Sequence, residues 1–224
     1  PINEDVIDLA RFGELGKEGV LALLMDSTNA ERRGYTMSER AVGETLEQQF
    51  RGCKKRIIVT TFASNIYRVQ QVMNAAAATK RKVAVSGRSM ENVVAVASEL
   101  GYLKIPKNTL VELNKVKSLP LEQQVIITTG SQGEEMSALY RMAFSTHKQI
   151  DVGPGDKVII SASAIPGNEK SVGRVINELF RKGVETVFSS TSPLHVSGHA
   201  CQEELKIIHA LAKPKFFIPV HGEQ

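Results

Sequence analysis

One pattern recurs along this chain: a short apolar run, a loop of small polar residues, and then a stretch with helical periodicity. The apolar runs lie at 56–61, 82–85, 124–129, 157–160 and 185–188. Because these runs are rich in β-branched residues and do not alternate with polar ones, they predict strands buried on both faces. Strands that alternate with helices predict an α/β fold with a mostly parallel sheet flanked by helices.

The helical stretches between the runs have boundaries that the sequence indicates. The first of these helices is predicted to span 66–78. The four that follow are predicted to end at about 100, at 142, at 181 and at about 211. At the other end of the chain, 18–25 is predicted to form a buried strand that ends at Asp26, and a helix is predicted to start near Glu39. A last apolar run at 216–220 is predicted to form a strand, with Pro219 favouring an edge position or a strand end.

Every polar motif falls where a predicted strand ends. In parallel sheets, ligands bind at the loops that follow the carboxyl ends of the strands, so a binding cleft is expected there. The alternative is that strand-to-helix loops are polar and glycine-rich in any such fold. The pattern alone leaves both interpretations open.

Composition sets broad limits on the class of protein. The 224 residues are 42% hydrophobic and 23% charged, which is typical of a globular chain. No apolar run reaches the roughly 18 residues needed to span a membrane. The net charge of +4 slightly favours a polyanionic partner.

The cysteines bear on the cellular compartment, and the first residues bear on whether the chain is part of a longer protein. Cys53 and Cys201 lie far apart and in no metal-ligand spacing, which favours a reducing compartment and a cytoplasmic location. The chain begins with Pro1 and shows no signal-peptide pattern, so it is expected to be a piece of a longer protein.

Asp26 ends an apolar run and is followed by Ser27-Thr28-Asn29. A carboxylate at such a position can orient a histidine or bind a metal. Asp, Ser and Asn after a strand also commonly form turns by bonding to their own backbone. Spacing alone favours the turn.

His195, Ser197 and His199 occur within five residues, before a predicted helix. A helix N-terminus presents unpaired N–H groups to a phosphate, and Gly198 would let the backbone approach closely. Imidazole groups can bind phosphate oxygens or move a proton near neutral pH. The alternative is that Ser197 caps the helix and the histidines are incidental.

The remaining histidines and polar loops carry weaker signals. His221 follows an apolar strand, where a neutral imidazole can bind a metal, although a lone histidine is more often structural. The loops at 64–66 and 130–134 are small and polar and suit a phosphate or ribose, but match no nucleotide-binding fingerprint. His147 and His209 are interpreted as structural.

Taken together, seven strings resemble the ribonuclease J family of β-CASP RNA nucleases, in family order across nearly the whole chain. They are LMDSTNAE (24–31), TFASNI (61–66), GRSM (87–90), TGSQGE (129–134), IPGNE (165–169), HVSGHA (195–200) and PVHGE (219–223). The resemblance implies a metallo-β-lactamase fold of the αββα type with a β-CASP insertion. It also implies a two-metal zinc site and hydrolysis of RNA as 5′-to-3′ exonuclease and endonuclease, in rRNA processing and mRNA decay.

The resemblance also assigns roles to individual residues. Asp26 matches the acidic motif of the family, His199 its catalytic histidine motif, and His221 a zinc ligand. The segments that match substrate-binding parts of the family are Ser64, Asn65 and Ile66, and His195, Val196, Ser197, Gly198 and His199. The partners implied are RNA and a second copy of the chain, in a homodimer or higher homo-oligomer.

The implied architecture is split along the chain. Residues 1–39 and 198–224 are predicted to belong to a partial metallo-β-lactamase domain, and 40–197 to the β-CASP domain.

The family's His-x-His-x-Asp-His motif is absent, which leaves His221 as the one expected zinc ligand. We therefore expect the isolated chain to bind zinc poorly and to lack nuclease activity. An RNA-binding or dimerisation module without catalysis and a DNA-directed β-CASP nuclease are the alternatives.

Overall fold

The computed structural model describes residues 7–189 and 191–221, and the chain divides into two compact units. The terminal unit comprises Pro1–Arg40 with Val196–Gln224, and the central unit comprises Ala41–His195. The domain boundaries inferred from the sequence, 1–39, 40–197 and 198–224, stay a prediction about the intact protein.

Strands and helices alternate along most of the chain. The strands are β1 (Ala22–Asp26), β2 (Arg56–Thr60), β3 (Lys82–Ser86), β4 (Gln124–Thr128), β5 (Asp156–Ile160), β6 (Glu185–Phe188) and β7 (Phe216–Val220). The helices are α1 (Leu9–Glu18), α2 (Glu39–Phe50), α3 (Ile66–Ala78), α4 (Arg88–Glu99), α5 (Leu113–Lys117), α6 (Ala138–Ala143), α7 (Glu169–Arg181) and α8 (Gln202–Ala212).

The central unit is built on five parallel strands in the order β3-β4-β2-β5-β6. The three inner strands are apolar on both faces: Ile57, Ile126 and Val158 are each 0% exposed. Burying side chains of this size stabilises the fold by about 1.5–3 kcal/mol each. The parallel α/β sheet predicted from the sequence is confirmed, and helix 66–78 has the predicted bounds.

The connections that follow the neighbouring strands β2 and β5 lead to opposite edges of the sheet. After β2 the chain continues to the β3 edge of the sheet, and after β5 it continues to the β6 edge. Adjacent strands whose connections leave in opposite directions open a crevice at their carboxyl ends. Thr60 and Ile160, which are register partners, mark this point in the central unit.

The terminal unit contains the parallel pair β1 and β7, in register from Ala22 and Phe216 to Asp26 and Val220. Helices α1 and α8 pack against each other in the same unit. Gly16 allows this close approach, because a Cβ there would lie 2.0 Å from the carbonyl oxygen of Leu211.

The prediction for the first strand needs correction, whereas the strand predicted at 216–220 has the predicted bounds. Residues 18–25 were expected to form one buried strand, but α1 ends at Glu18 and β1 begins only at Ala22. Asp8 caps α1 by accepting from the Arg11 N–H at 2.9 Å, a helix start that the apolar pattern did not reveal. Neither strand is buried: Leu24 is 64% exposed, and all of β7 is exposed.

The exposure of these strands follows from how few elements lie against them. Among the described residues of the terminal unit, β1 and β7 have only each other as strand partners. A cavity of about 360 Å³, lined by Leu205 of α8 and Phe217 of β7, lies against one face of the pair. No helix within 7–189 and 191–221 is long and apolar enough to cross a membrane.

Candidate active site

The carboxyl ends of β1 and β7 bring Asp26 and His221 to the same end of the terminal unit. Asp26 pairs in register with Val220, and Ser27 donates both its N–H and its hydroxyl to the Val220 carbonyl at 2.8 Å. The next residue, His221, has a φ of 64°, in the left-handed region. For a residue other than glycine this conformation costs about 1 kcal/mol, and such strain is concentrated at functional sites.

His199 is hydrogen-bonded to Asp26 through its ring. Ring Nδ1 lies against carboxylate Oδ2, and the other carboxylate oxygen accepts from the Thr28 N–H at 2.8 Å. The His199 hydrogen bond, followed by those from Thr28, holds the pKa of Asp26 well below its usual range. Since an ionised carboxylate only accepts, Nδ1 carries the proton, and Nε2 on the opposite side of the ring is left for other chemistry.

His221 lies beside this pair. The ring centroids of His199 and His221 are 6.3 Å apart, with the planes at 75°. The side chains of Asp26 and His199 are 40% and 46% exposed, so the pair is open to a ligand. The structure thus brings together the three residues to which the resemblance assigns catalytic or zinc-binding roles.

The loop that carries His199 is held by a residue that the sequence analysis did not single out. The side-chain amide of Asn29 donates to Ser197 Oγ and to the His199 carbonyl, both at 3.0 Å. The His199 N–H also donates to Ser197 Oγ, at 3.1 Å. The only sequence signal was the position of Asn29 in the polar turn after Asp26.

The first N–H groups of α8 have hydrogen-bond partners within the protein. The helix starts at Gln202, and Cys201 caps it in a capping box with Glu204. The next two N–H groups, of Gln202 and Glu203, donate to the carbonyls of Arg32 and Gly34 at 2.9 and 3.2 Å. The first turn thus finds its partners within the protein, and phosphate binding by the segment 195–199 stays a prediction.

His195 lies in the central unit, half-buried. Burial, and secondly the charge of Arg68, lower the pKa of His195. Arg68 is itself fully buried and donates to the Leu194 carbonyl at 2.7 Å and the Ser161 carbonyl at 3.1 Å. The loop before His195 is thereby fastened to the carboxyl end of β5.

The other predicted substrate residues are divided between the units. Ser64 is exposed and Ile66 half-buried at the carboxyl end of β2, while the side chain of Asn65 caps α3 by accepting from the Arg68 N–H at 3.0 Å. These three residues and His195 belong to the central unit; Val196, Ser197, Gly198 and His199 belong to the terminal unit.

Two other polar features turn out to be structural. Gln132 of the 130–134 loop is buried, and it donates to the Ser163 carbonyl at 2.9 Å and accepts from the Ile165 N–H at 2.8 Å. It therefore joins the loop after β4 to the loop after β5. His147 accepts two backbone N–H groups at Nδ1 and contacts Ser86 Oγ through Nε2 at 3.1 Å, in line with its structural interpretation.

Two family models and several curated proteins match this chain. The family model "Ribonuclease J, beta-CASP domain" matches residues 54–179, and "Zn-dependent metallo-hydrolase RNA specificity domain" matches residues 191–224. Among similar curated proteins are ribonuclease J of Thermus thermophilus (50% identical over 100% of this chain) and ribonuclease J 1 of Streptococcus pyogenes (49% over 98%). Ribonuclease J of Synechocystis is 48% identical over 100% of this chain.

The match covers a part of each relative. The chain spans 39% of the Thermus and Streptococcus proteins and 35% of the Synechocystis protein.

Proposed function

The chain belongs to the ribonuclease J β-CASP family, and we propose that it forms part of a zinc-dependent ribonuclease that hydrolyses RNA phosphodiester bonds. In this proposal the enzyme acts as a 5′-to-3′ exonuclease and as an endonuclease. The observation that carries the proposal is the Asp26–His199 hydrogen bond next to His221.

The pair is suited to moving a proton at the leaving oxygen. Asp26 stays ionised, and its carboxylate accepts from Nδ1 and fixes the ring of His199, so that Nε2 lies on the side of the ring away from Asp26. Nε2 can then donate a proton to the departing ribose oxygen. The turn from Asp26 to Thr28 keeps the carboxylate oriented, because the Thr28 N–H occupies the oxygen that His199 leaves free.

His221 fits the role of a metal ligand that this chain contributes. It is an exposed imidazole whose backbone is held at the end of β7. The described part of the chain contains no group of three or more residues able to hold a metal, so we propose that further ligands come from the remainder of the enzyme. When bound, zinc would supply Lewis-acid chemistry that activates the attacking water and stabilises charge on the phosphate.

Two segments of the chain are assigned to contacts with the substrate. We assign Ser64, Asn65 and Ile66, together with the segment 195–199, to contacts with nucleotide and phosphate groups of the substrate. The lowered pKa of His195 keeps its ring neutral near pH 7, so that it binds a phosphate oxygen as a hydrogen-bond donor and not as a cation.

The proposal also covers the biological role, the cellular location and the oligomeric state of the enzyme. It includes rRNA processing and mRNA decay as the biological roles, a cytoplasmic location, and a homodimer or larger homo-oligomer. Since His221 is the single zinc ligand assigned to this chain, the 224 residues alone are expected to bind zinc poorly and to leave RNA intact. Elemental analysis and an RNA cleavage assay of the isolated chain test this expectation.

The decisive experiment uses the full-length enzyme with three single substitutions. His199→Ala should slow RNA hydrolysis at unchanged zinc content, whereas His221→Ala should lower the zinc content as well. His209→Ala is the matched control, since His209 contacts Phe217 edge-on at 5.4 Å and has no assigned role. Loss of zinc with full activity in His199→Ala would contradict the assignment.

The same assays separate the alternatives. Cleavage that a chelator abolishes excludes a binding or dimerisation module without catalysis. RNA and DNA substrates of one sequence, assayed side by side, separate the proposed ribonuclease from a DNA-directed β-CASP nuclease. Preference for DNA would overturn the proposed substrate class.

A further inference from the structure

Asn29 lies in the turn that also carries Asp26, and it is 6% exposed. The turn is closed by backbone hydrogen bonds from Ala30 N to Ser27 O at 3.0 Å and from Arg32 N to Asn29 O at 2.9 Å. One turn therefore holds His199 in two ways: Asp26 binds its ring, and Asn29 binds its backbone carbonyl.

The Asn29 amide also determines what the hydroxyl of Ser197 can do. A serine hydroxyl has two acceptor positions and one proton. Its acceptor positions are filled by the Asn29 amide at 3.0 Å and the His199 N–H at 3.1 Å. The proton must then point elsewhere, and within 7–189 and 191–221 no acceptor receives it.

Thr36 does not replace Asn29 as the donor to the His199 carbonyl. Its hydroxyl lies 3.2 Å from that carbonyl and 2.7 Å from Glu204 Oε2. A hydroxyl has one proton, and the shorter contact to a charged carboxylate is the stronger hydrogen bond. The proton of Thr36 therefore goes to Glu204, and Asn29 is left as the donor that fixes the His199 carbonyl.

We propose that Asn29 is a positioning residue that fixes the backbone of His199 and directs the hydroxyl proton of Ser197 outward, toward a non-bridging phosphate oxygen of the RNA. The inference rests on the proposed function. It predicts that Asn29 acts on the reaction through Ser197 and His199 and makes no contact with the substrate itself.

A double-mutant cycle in the full-length enzyme tests this role. Asn29→Ala and Ser197→Ala should each lower kcat by about 10- to 100-fold, as removal of supporting hydrogen-bond partners typically does. The double variant should be little worse than the more damaged single variant, because both substitutions break the same chain of hydrogen bonds. If the two effects multiply, Asn29 acts independently of Ser197 and the inference is overturned.

Two controls distinguish positioning from simple stabilisation. Thr45→Val removes a similarly buried hydroxyl, bonded to the Ala41 carbonyl at 3.0 Å, and should lower Tm without changing kcat. Asn29→Asp keeps the shape of the side chain but replaces the donating amide by a carboxylate that only accepts, so it should be at least as damaging as Asn29→Ala. Full kcat in Asn29→Asp would contradict the inference.

A readout independent of activity completes the experiment. Hydrogen–deuterium exchange in the segment 196–201 should become faster in Asn29→Ala and stay at the wild-type rate in Thr45→Val. Unchanged exchange in Asn29→Ala would overturn the inference. Failure of the proposed function is distinguishable, because then His199→Ala itself would hydrolyse RNA normally.

Discussion

Asp26 and His199, 173 residues apart in the chain, meet through a hydrogen bond between carboxylate Oδ2 and ring Nδ1. Asp26 ends β1, and His199 lies in the loop before α8. Neither residue is fixed by the other alone, since Thr28 orients the carboxylate and Asn29 holds the histidine backbone. The pair is thus preorganised by one turn of the terminal unit.

Asp26→Asn should separate orientation from charge at this pair. The amide keeps the size of the side chain, but it removes the ionised carboxylate that accepts from His199 Nδ1. We expect kcat of the full-length enzyme to fall by about 10²- to 10⁴-fold, the range of general acid–base catalysis. Asp151→Asn, at an exposed carboxylate paired with Lys182, is the control and should change kcat by less than about twofold. Equal kcat in the two variants would contradict the role of Asp26.

Arg68→Met should destabilise the central unit. The substitution removes hydrogen bonds to the carbonyls of Leu194 and Ser161 in a fully buried setting. We expect a loss of about 2–4 kcal/mol in the free energy of unfolding, measured by urea denaturation. Arg181→Met, at a 77% exposed side chain, should cost less than about 1 kcal/mol. A loss no larger than that of the control would show that Arg68 does not fasten the Leu194 loop.

His147 should make stability depend on pH. Burial, followed by the charges of Arg141 and Lys117, lowers the pKa of His147, and Nδ1 accepts from the Gln149 and Ile150 N–H groups. A lowered folded-state pKa means that the contribution is complete above the unfolded value of about 6.5 and is lost as the pH falls through the folded value. The slope of unfolding free energy between about pH 7 and 5 should be smaller in His147→Gln than in the wild type. An equal slope would contradict the prediction.

Gly133→Ala should disturb the contact between the loop after β4 and helix α7. Gly133 has a φ of 73°, and a Cβ there would lie 2.5 Å from the carbonyl carbon of Ser171. Strain and steric overlap together should cost about 2 kcal/mol or more in unfolding free energy. Gly173→Ala in α7 meets no atom within 4 Å and should instead stabilise by about 0.5–1 kcal/mol. Thermal melts of the two variants check both signs.

The sequence predicted the inner strands of the central unit well because they are buried on both faces, whereas the outermost strand β6, also expected to be buried, has no buried residue. Runs such as 56–61 and 124–129 need two covering layers, and the structure supplies them. The same reasoning failed for β1 and β7, since an apolar run shows what a strand can bury but not which elements cover it. Leu24 and Phe216 illustrate this, with 64% and 56% exposure.

The candidate site was only partly visible in the sequence. The resemblance assigned roles to Asp26, His199 and His221, but no local spacing predicts that residues so far apart in the chain meet. Asn29 escaped notice because its role depends on hydrogen bonds across 168 and 170 residues. The capping of α8 depends on Arg32 and Gly34 in the same way, through carbonyls from a remote segment.

The left-handed backbone at His221 has a chemical consequence. Glycine adopts that conformation without strain, so His221→Gly should preserve the turn after β7 while removing the ring. Free imidazole from solution is then expected to enter the space that the side chain has left. In the full-length enzyme, added imidazole should restore zinc binding and hydrolysis to His221→Gly but not to His199→Ala, whose ring must also be held by Asp26.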